Sequence, residues 1–307
     1  MRLLATLRAT LICVVVSLLH LNGETQFVPP SKALVAHRGA SAYAPEHTLA
    51  AYRLAIAQGA DYVEQDLAVT KDGALICLHD DSLERTTDVE EVFPDRGDVD
   101  SVTGRRRWLA VDFTLAEIKR LDAGSWFDRR FAGERVPTWE EAVAAVGTSA
   151  GLYPELKTPA LYRSRNIDMT KLFADSLTRL GLVSRRPGLL IVQSFDDLPL
   201  RDLARELPAV PRTFLIDTRD GPRWLSREGM ADIATFATGI GPAKALVIGR
   251  PDIVHLAHGA GLTVTPYTFT TRAPSERFVD VRDEMRYYLV DLGVDAVFTD
   301  NPDRFPR

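Results

Sequence analysis

His37 and Arg38 follow the apolar run Ala33–Ala36, Glu64 and Asp66 sit in the next such run, and His79 ends a third. A histidine can take or give a proton near neutral pH. An arginine presents a planar, permanently charged fork that suits phosphate. Glu64 and Asp66 are two apart, so on a strand they share one face, and Glu155 with Lys157 repeats that spacing. Three carboxylates from two strands could therefore converge on one point. Oxygen donors suit Ca²⁺ or Mg²⁺, and the sequence has no cysteine–histidine set for a structural zinc.

Each of these residues also has a plainer use. The carboxylates could form an exposed strand face, each histidine a satisfied core residue, and Arg38 and Lys157 salt bridges to neighbouring acids. The grouping favours chemistry, because buried unpaired carboxylates are costly and a cation offsets their mutual repulsion. His47 reads differently: at a helix N-terminus the dipole disfavours imidazolium, so it is expected to be neutral and structural. Glu46 beside it either positions Arg38 or caps the helix. His255 and His258, near a helix end followed by glycines, read as surface residues. Trp126, Phe127 and Phe131 fit either a core or a substrate-side wall.

The elements that must position these side chains follow from apolar periodicity. Strands are expected at Ala33–Ala36, Asp61–Leu67, Gly151–Leu156, Leu189–Gln193, Thr213–Ile216, Thr235–Gly239, Leu262–Pro266 and Ala296–Thr299. Helices are expected at Leu49–Ile56, Leu115–Leu121, Trp139–Val146, Thr170–Leu180 and Val281–Leu292. Thr70-Lys71-Asp72-Gly73 is a turn signal, which folds Ala74–Leu78 back beside the second strand. Eight core strands alternating with helices predict an α/β fold, a (β/α)₈ TIM barrel with a small insertion after the second strand, about 81–137. The polar candidates fall near the C-terminal strand ends, the face where such barrels hold their catalytic residues.

The chain has 307 residues, with a formal net charge of −5. That length can bury a full core in one domain, and the acidic balance argues against a nucleic-acid partner. Arg2 and Arg8 precede an apolar run from Leu11 to Leu21, which reads as a secretory signal over 1–23. The folded unit is then 24–307, in a periplasmic or secreted enzyme. The cleavage site at Leu21-Asn22-Gly23 lacks a small residue two before Gly23, so an uncleaved anchor is the other reading, and the expected route of any membrane contact. Removal of the signal leaves Cys77 as the sole cysteine, which forbids an intramolecular disulfide.

The pattern resembles the glycerophosphodiester phosphodiesterases, most closely their periplasmic bacterial branch. The motifs that carry it are Ala36-His37-Arg38-Gly39-Ala40-Ser41, Pro45-Glu46-His47-Thr48, Glu64-Gln65-Asp66-Leu67, Leu78-His79-Asp80 and Tyr153-Pro154-Glu155-Leu156-Lys157. Gln193-Ser194-Phe195-Asp196, Pro266-Tyr267-Thr268 and Phe298-Thr299-Asp300-Asn301-Pro302-Asp303 extend it to the C-terminal half. The resemblance implies a metal, Ca²⁺ in this branch with Mg²⁺ as the other option, on Glu64, Asp66 and Glu155. It implies that His37 and His79 are acid and base, with Arg38 on the phosphate. Lys157, Glu46, Gln193, Phe195 and Tyr267 are the further substrate-side candidates. Many relatives carry Asn at the position of His47.

The expected reaction is metal-dependent hydrolysis of glycerophosphodiesters such as glycerophosphocholine to sn-glycerol 3-phosphate and an alcohol. Attack by the glycerol hydroxyl through a cyclic phosphate and attack by water are both open. The alternatives are a lysophospholipase D or sphingomyelinase D-like phospholipase on the same fold, and a surface-anchored binding protein on an inactive barrel. Residues 97–110 and 219–235 match the family less well and leave the alcohol preference open.

Overall fold

The computed structural model describes residues 31–185, 188–273 and 275–307. The signal segment expected over 1–23 lies outside the described residues. In chain order the strands are β1 (Ala33–Ala36), β2 (Tyr62–Val69), β3 (Leu75–Cys77), β4 (Asp98–Val99), β5 (Arg106–Arg107), β6 (Gly151–Leu156), β7 (Val192–Ser194), β8 (Arg212–Ile216), β9 (Gly239–Pro242), β10 (Thr263–Val264) and β11 (Ala296–Thr299).

Eight of them run parallel in the order β10-β9-β8-β7-β6-β2-β1-β11. The outer pair also meets: Asp295 N–H donates to the Val264 carbonyl at 2.9 Å and Phe298 N–H to the Pro266 carbonyl at 3.1 Å. The sheet therefore closes into the expected barrel with helices around it. β3 is the expected return arm, antiparallel to β2 with Leu67 opposite Cys77.

Alternation along each strand decides what faces inward. On β1, Leu34 and Ala36 join the large outer core, while Val35 joins an inner cluster with Tyr62, Tyr153 and Phe298. The Tyr62 and Tyr153 rings lie 5.8 Å apart edge-on, and Tyr153 lies 5.1 Å from Phe298. These rings form a floor across the barrel. Two residues further along β2 and β6 the inward positions are Glu64 and Glu155. All eight residues of β2 are buried, because helices cover one face and the barrel interior the other.

The insertion is built from short pieces packed on Trp108, Val111, Phe113 and Leu121, all buried. Its expected helix is shorter than read, Leu115–Ile118. Other boundaries differ as well: the strand expected at Leu262–Pro266 is only Thr263–Val264, and Asp61–Leu67, Thr213–Ile216, Leu49–Ile56 and Thr170–Leu180 shift by one or two residues at an end. The strand expected at Thr235–Gly239 begins only at Gly239, because Thr235 and Phe236 complete a helical turn, with amides bonded to the Asp232 and Ile233 carbonyls. The strand expected at Leu189–Gln193 is Val192–Ser194. Val281–Leu292 is α-helical to Arg286 and then π-helical over Tyr287–Asp291.

Candidate active site

The first βα loop sets the site. Its backbone turns sharply: Arg38 and His47 have φ of 57° and 60°, and Gly39 has φ of 84°. A Cβ on Gly39 would lie 2.7 Å from the Ala51 backbone, so the residue lets the loop pass against the following helix. The two left-handed non-glycine residues cost about 1–3 kcal/mol each. They are held by the His47 N–H to Arg38 carbonyl bond at 3.1 Å and by Arg38 N–H donating to Glu64 Oε2 at 2.6 Å. Thr48 then caps the helix Leu49–Ala57.

A cavity of about 210 Å³ opens above the aromatic floor, lined by residues that include His37, Arg38, Glu64, Asp66, His79, Glu155, Lys157, Gln193, Phe195 and Tyr267. Of the acid–base, metal and substrate-side candidates that the family resemblance implies, all but Glu46 lie on this wall. Glu46 stands behind it, accepting from Arg38 Nη1 at 3.1 Å and from both terminal nitrogens of Arg85. Of its two expected roles, the contact with Arg38 is the one present.

β2 and β6 are in register with Asp66 opposite Glu155, which brings the three carboxylates together. Lys157 Nζ lies 3.1 Å from Glu155 Oε1 and 3.8 Å from Asp66 Oδ1. Arg38 Nε lies 3.3 Å from Asp66 Oδ2. Burial, reinforced by Asp66, pushes the Glu64 carboxyl well above its ordinary range. Burial also lifts Glu155, to about 8, with Asp66 adding to it against the pull of Lys157. Asp66 moves the other way: burial opposes its charge, but Lys157, His47 and Arg38 outweigh it and hold the carboxyl low. Two cations, Arg38 and Lys157, thus face three buried carboxylates.

Among the described residues, the one set of three or more acid, imidazole or thiol groups offering donor atoms all within 4.8 Å of one another is His47, Glu64 and Asp66. Glu155 is outside that set of three, with its Oε1 3.1 Å from Lys157 Nζ. His47 bonds Asp66 Oδ2 through Nε2 at 2.9 Å and the Tyr52 hydroxyl through Nδ1 at 3.0 Å. Burial lowers its pKa, against the opposing pull of Asp66. Gln193 donates to Glu64 Oε1 at 3.4 Å, and its own carbonyl oxygen is buried without a hydrogen-bond partner.

Each candidate acid–base histidine is oriented by an aspartate. His37 Nδ1 bonds Asp300 Oδ1 at 2.8 Å, and His79 Nδ1 bonds Asp80 Oδ1 at 2.6 Å. Burial and the nearby Arg38 lower the His37 pKa, against the opposing pull of Asp300. Burial works against the Asp300 charge, yet the bond to His37 holds that carboxyl at about 2. Asp300, Asp80 and Arg85 were not assigned roles from the sequence. The motifs that contain Asp80 and Asp300 were the available signal. His258 lies elsewhere, bonded to Asp295, and Trp126, Phe127 and Phe131 form an edge-to-face stack outside the cavity wall.

A closed parallel barrel with charged, buried groups at its C-terminal mouth defines a barrel enzyme. The model of the glycerophosphoryl diester phosphodiesterase family matches residues 37–304. The glycerophosphodiester phosphodiesterase of Bacillus subtilis is 36% identical over 284 residues, covering 89% of this chain and 85% of the relative. That of Haemophilus influenzae is 30% identical, covering 89% and 88%. A solved glycerophosphodiester phosphodiesterase from Agrobacterium tumefaciens superposes with a TM-score of 0.66 at 29% identity, covering 89% of this chain and 98% of that one. A phosphodiesterase from Oleispira antarctica, solved in complex with the product sn-glycerol-3-phosphate, gives 0.67 at 27% identity, covering 89% and 94%. The chain belongs to the glycerophosphoryl diester phosphodiesterase family, and it is an enzyme of that class rather than a silent barrel.

Proposed function

We propose that this enzyme hydrolyses glycerophosphodiesters, glycerophosphocholine among them, to sn-glycerol 3-phosphate and an alcohol, with His37 and His79 as the acid–base pair. The observation that carries the reading is two aspartate-oriented imidazoles on the wall that also holds three buried carboxylates. Each Nδ1 is committed to its aspartate, so each Nε2 is left for proton transfer. One imidazole takes the proton of the attacking hydroxyl; the other protonates the departing alkoxide oxygen. Arg38 and Lys157 hold the phosphoryl oxygens and offset the charge that develops on them. Gln193, Phe195 and Tyr267 shape the substrate side of the cavity, and Glu46 fixes Arg38 from behind.

The donor set fits a hard divalent cation: three buried carboxylates, an orphaned amide oxygen on Gln193, and no thiol on the cavity wall. Glu64, Asp66 and Glu155 would hold it, Ca²⁺ in first place and Mg²⁺ in second. When bound it supplies Lewis acidity that polarises a phosphate oxygen and lowers a hydroxyl pKa. The apolar run after Arg2 and Arg8 supports a periplasmic or secreted location.

Turnover of glycerophosphocholine with chelator, followed by add-back of Ca²⁺, Mg²⁺ or Zn²⁺, tests the reading. Loss of rate with chelator and its return with Ca²⁺ is expected. Full activity after exhaustive chelation would remove the cation from the reading.

A further inference from the structure

Near the start of the insertion, Arg85 reaches the carboxylates behind the site. Arg85 donates from Nη1 to Glu46 Oε2 at 3.0 Å and from Nη2 to Glu46 Oε1 at 2.7 Å. Its Nε donates to Asp80 Oδ2 at 2.6 Å, and Nη2 also reaches Asp80 Oδ1 at 3.3 Å. Glu46 is the carboxylate behind Arg38, and Asp80 is the carboxylate behind His79. The guanidinium therefore lies between the partner of the phosphate-side arginine and the partner of an acid–base histidine, without lining the cavity itself. Its backbone is anchored. Leu83 is fully buried and its N–H donates to the Trp108 carbonyl, while Ala110 N–H donates to the Asp81 carbonyl.

We propose that Arg85 is a positioning residue that couples Arg38 to His79, so that phosphate binding and proton transfer are set by one guanidinium fork. The inference rests on the roles given above to Arg38 and His79. With Arg85 in place, Glu46 shares its charge between two arginines, and Arg38 keeps a free edge for phosphate. Without it, Glu46 has Arg38 alone and draws that fork back. Asp80 loses its second anchor at the same moment, and the His79 ring loses its fixed orientation. A lysine cannot replace this function, because a single ammonium cannot span both carboxylates with a planar fork.

The test compares Arg85→Ala and Arg85→Lys with the wild-type enzyme on glycerophosphocholine. Arg85→Ala is expected to lower kcat/KM by roughly tenfold to a hundredfold, the scale of lost orienting partners, with both KM and kcat moving. Arg85→Lys is expected to recover one of the two parameters only. Glu46→Gln and Asp80→Asn are expected to be non-additive in the wild type and additive in the Arg85→Ala background, since the linking residue is gone. Unchanged KM and kcat in folded Arg85→Ala, or additive effects in both backgrounds, would overturn the coupling. A merely structural residue would lower the unfolding midpoint and leave the kinetics of the folded fraction alone. Nitrogen NMR of the His79 ring gives a readout that needs no turnover: one fixed tautomer in the wild type and exchange between tautomers in Arg85→Ala are expected, and identical spectra would overturn the proposal. Absence of turnover in the wild type alone would instead sink the hydrolysis reading and leave the NMR result to stand by itself.

Discussion

Above the floor of Tyr62, Tyr153 and Phe298 the barrel holds Glu64, Asp66, Glu155, Lys157 and Arg38; below it lies a second cavity of about 290 Å³, lined by Thr213, Thr238, Thr263, Thr265 and the two tyrosines. The same strands build both. Tyr62 and Glu64 are one inward step apart on β2, and Tyr153 and Glu155 are one inward step apart on β6. Below the floor, hydroxyls have close partners: the Tyr153 hydroxyl meets Thr213 Oγ1 at 2.6 Å, while Tyr62 and Thr238 donate to the Gly188 and Arg212 carbonyls. Above it, buried carboxylates are pushed apart in pKa and two residues hold left-handed backbone. The lower cavity has an acid on its wall, Asp295, whose Oδ2 already accepts from the Val264 N–H and meets His258 Nε2; the upper one gathers several charges and strained backbone. Proteins carry such local costs where chemistry needs them.

The contrast can be broken from either end. The largest effect is expected from His37→Ala and His79→Ala, each lowering kcat by roughly a hundredfold to ten-thousandfold. Steady-state turnover of glycerophosphocholine by the folded variants checks this, and a variant that kept most of its rate would remove that histidine from the chemistry. Asp300 gives the next effect, on stability. Its carboxyl is held at about 2 in the folded chain, below the ordinary value near 3.9. The depressed value stabilises the fold above pH 4 by about 2 kcal/mol, and this is lost as pH falls toward 2. Urea unfolding at pH 7, 4 and 3 should show the slope in the wild type and a flatter one in Asp300→Asn.

Below the floor, Tyr153→Phe strands the Thr213 hydroxyl and should cost about 1 kcal/mol of stability, with kcat within twofold of wild type by the same assay. A tenfold loss of rate would show that the floor does more than pack. The smallest effect is expected from His258→Ala, which removes a half-exposed contact with Asp295 worth under about 1 kcal/mol. Its kinetics should match the wild type, so that histidines matter at one end of the barrel and not at the other.

Much of this was readable along the chain. Ala33–Ala36, Trp139–Val146, Gly151–Leu156 and Ala296–Thr299 were placed to the residue, since their apolar runs have clear limits. Thr235 and Phe236 misled because β-branched and aromatic residues favour strands, while here the helix Arg227–Ile233 ends in a turn over them. β10 is two residues long and is defined by its barrel neighbours rather than by its own pattern. The wall residues were readable from strand ends and the two-residue period. Their orienting partners were not, for a reason of distance in sequence: Asp300 lies 263 positions from His37, and Arg85 lies 39 from Glu46. Such pairs exist only once the barrel has closed. Lys157 was read either as a phosphate-side cation or as a salt bridge to a neighbouring acid, and its 3.1 Å approach to Glu155 Oε1 depends on side-chain reach that spacing does not encode.

The left-handed backbone at His47 limits what may replace it before any chemistry is considered. With φ at 60°, a β-branched or bulky substitute would pay in torsion, whereas asparagine enters that region readily. Asparagine also keeps a polar head to offer the neighbouring aspartate. Substitution at this position is thus filtered twice, first by main-chain shape and then by hydrogen-bonding capacity, and few side chains pass both.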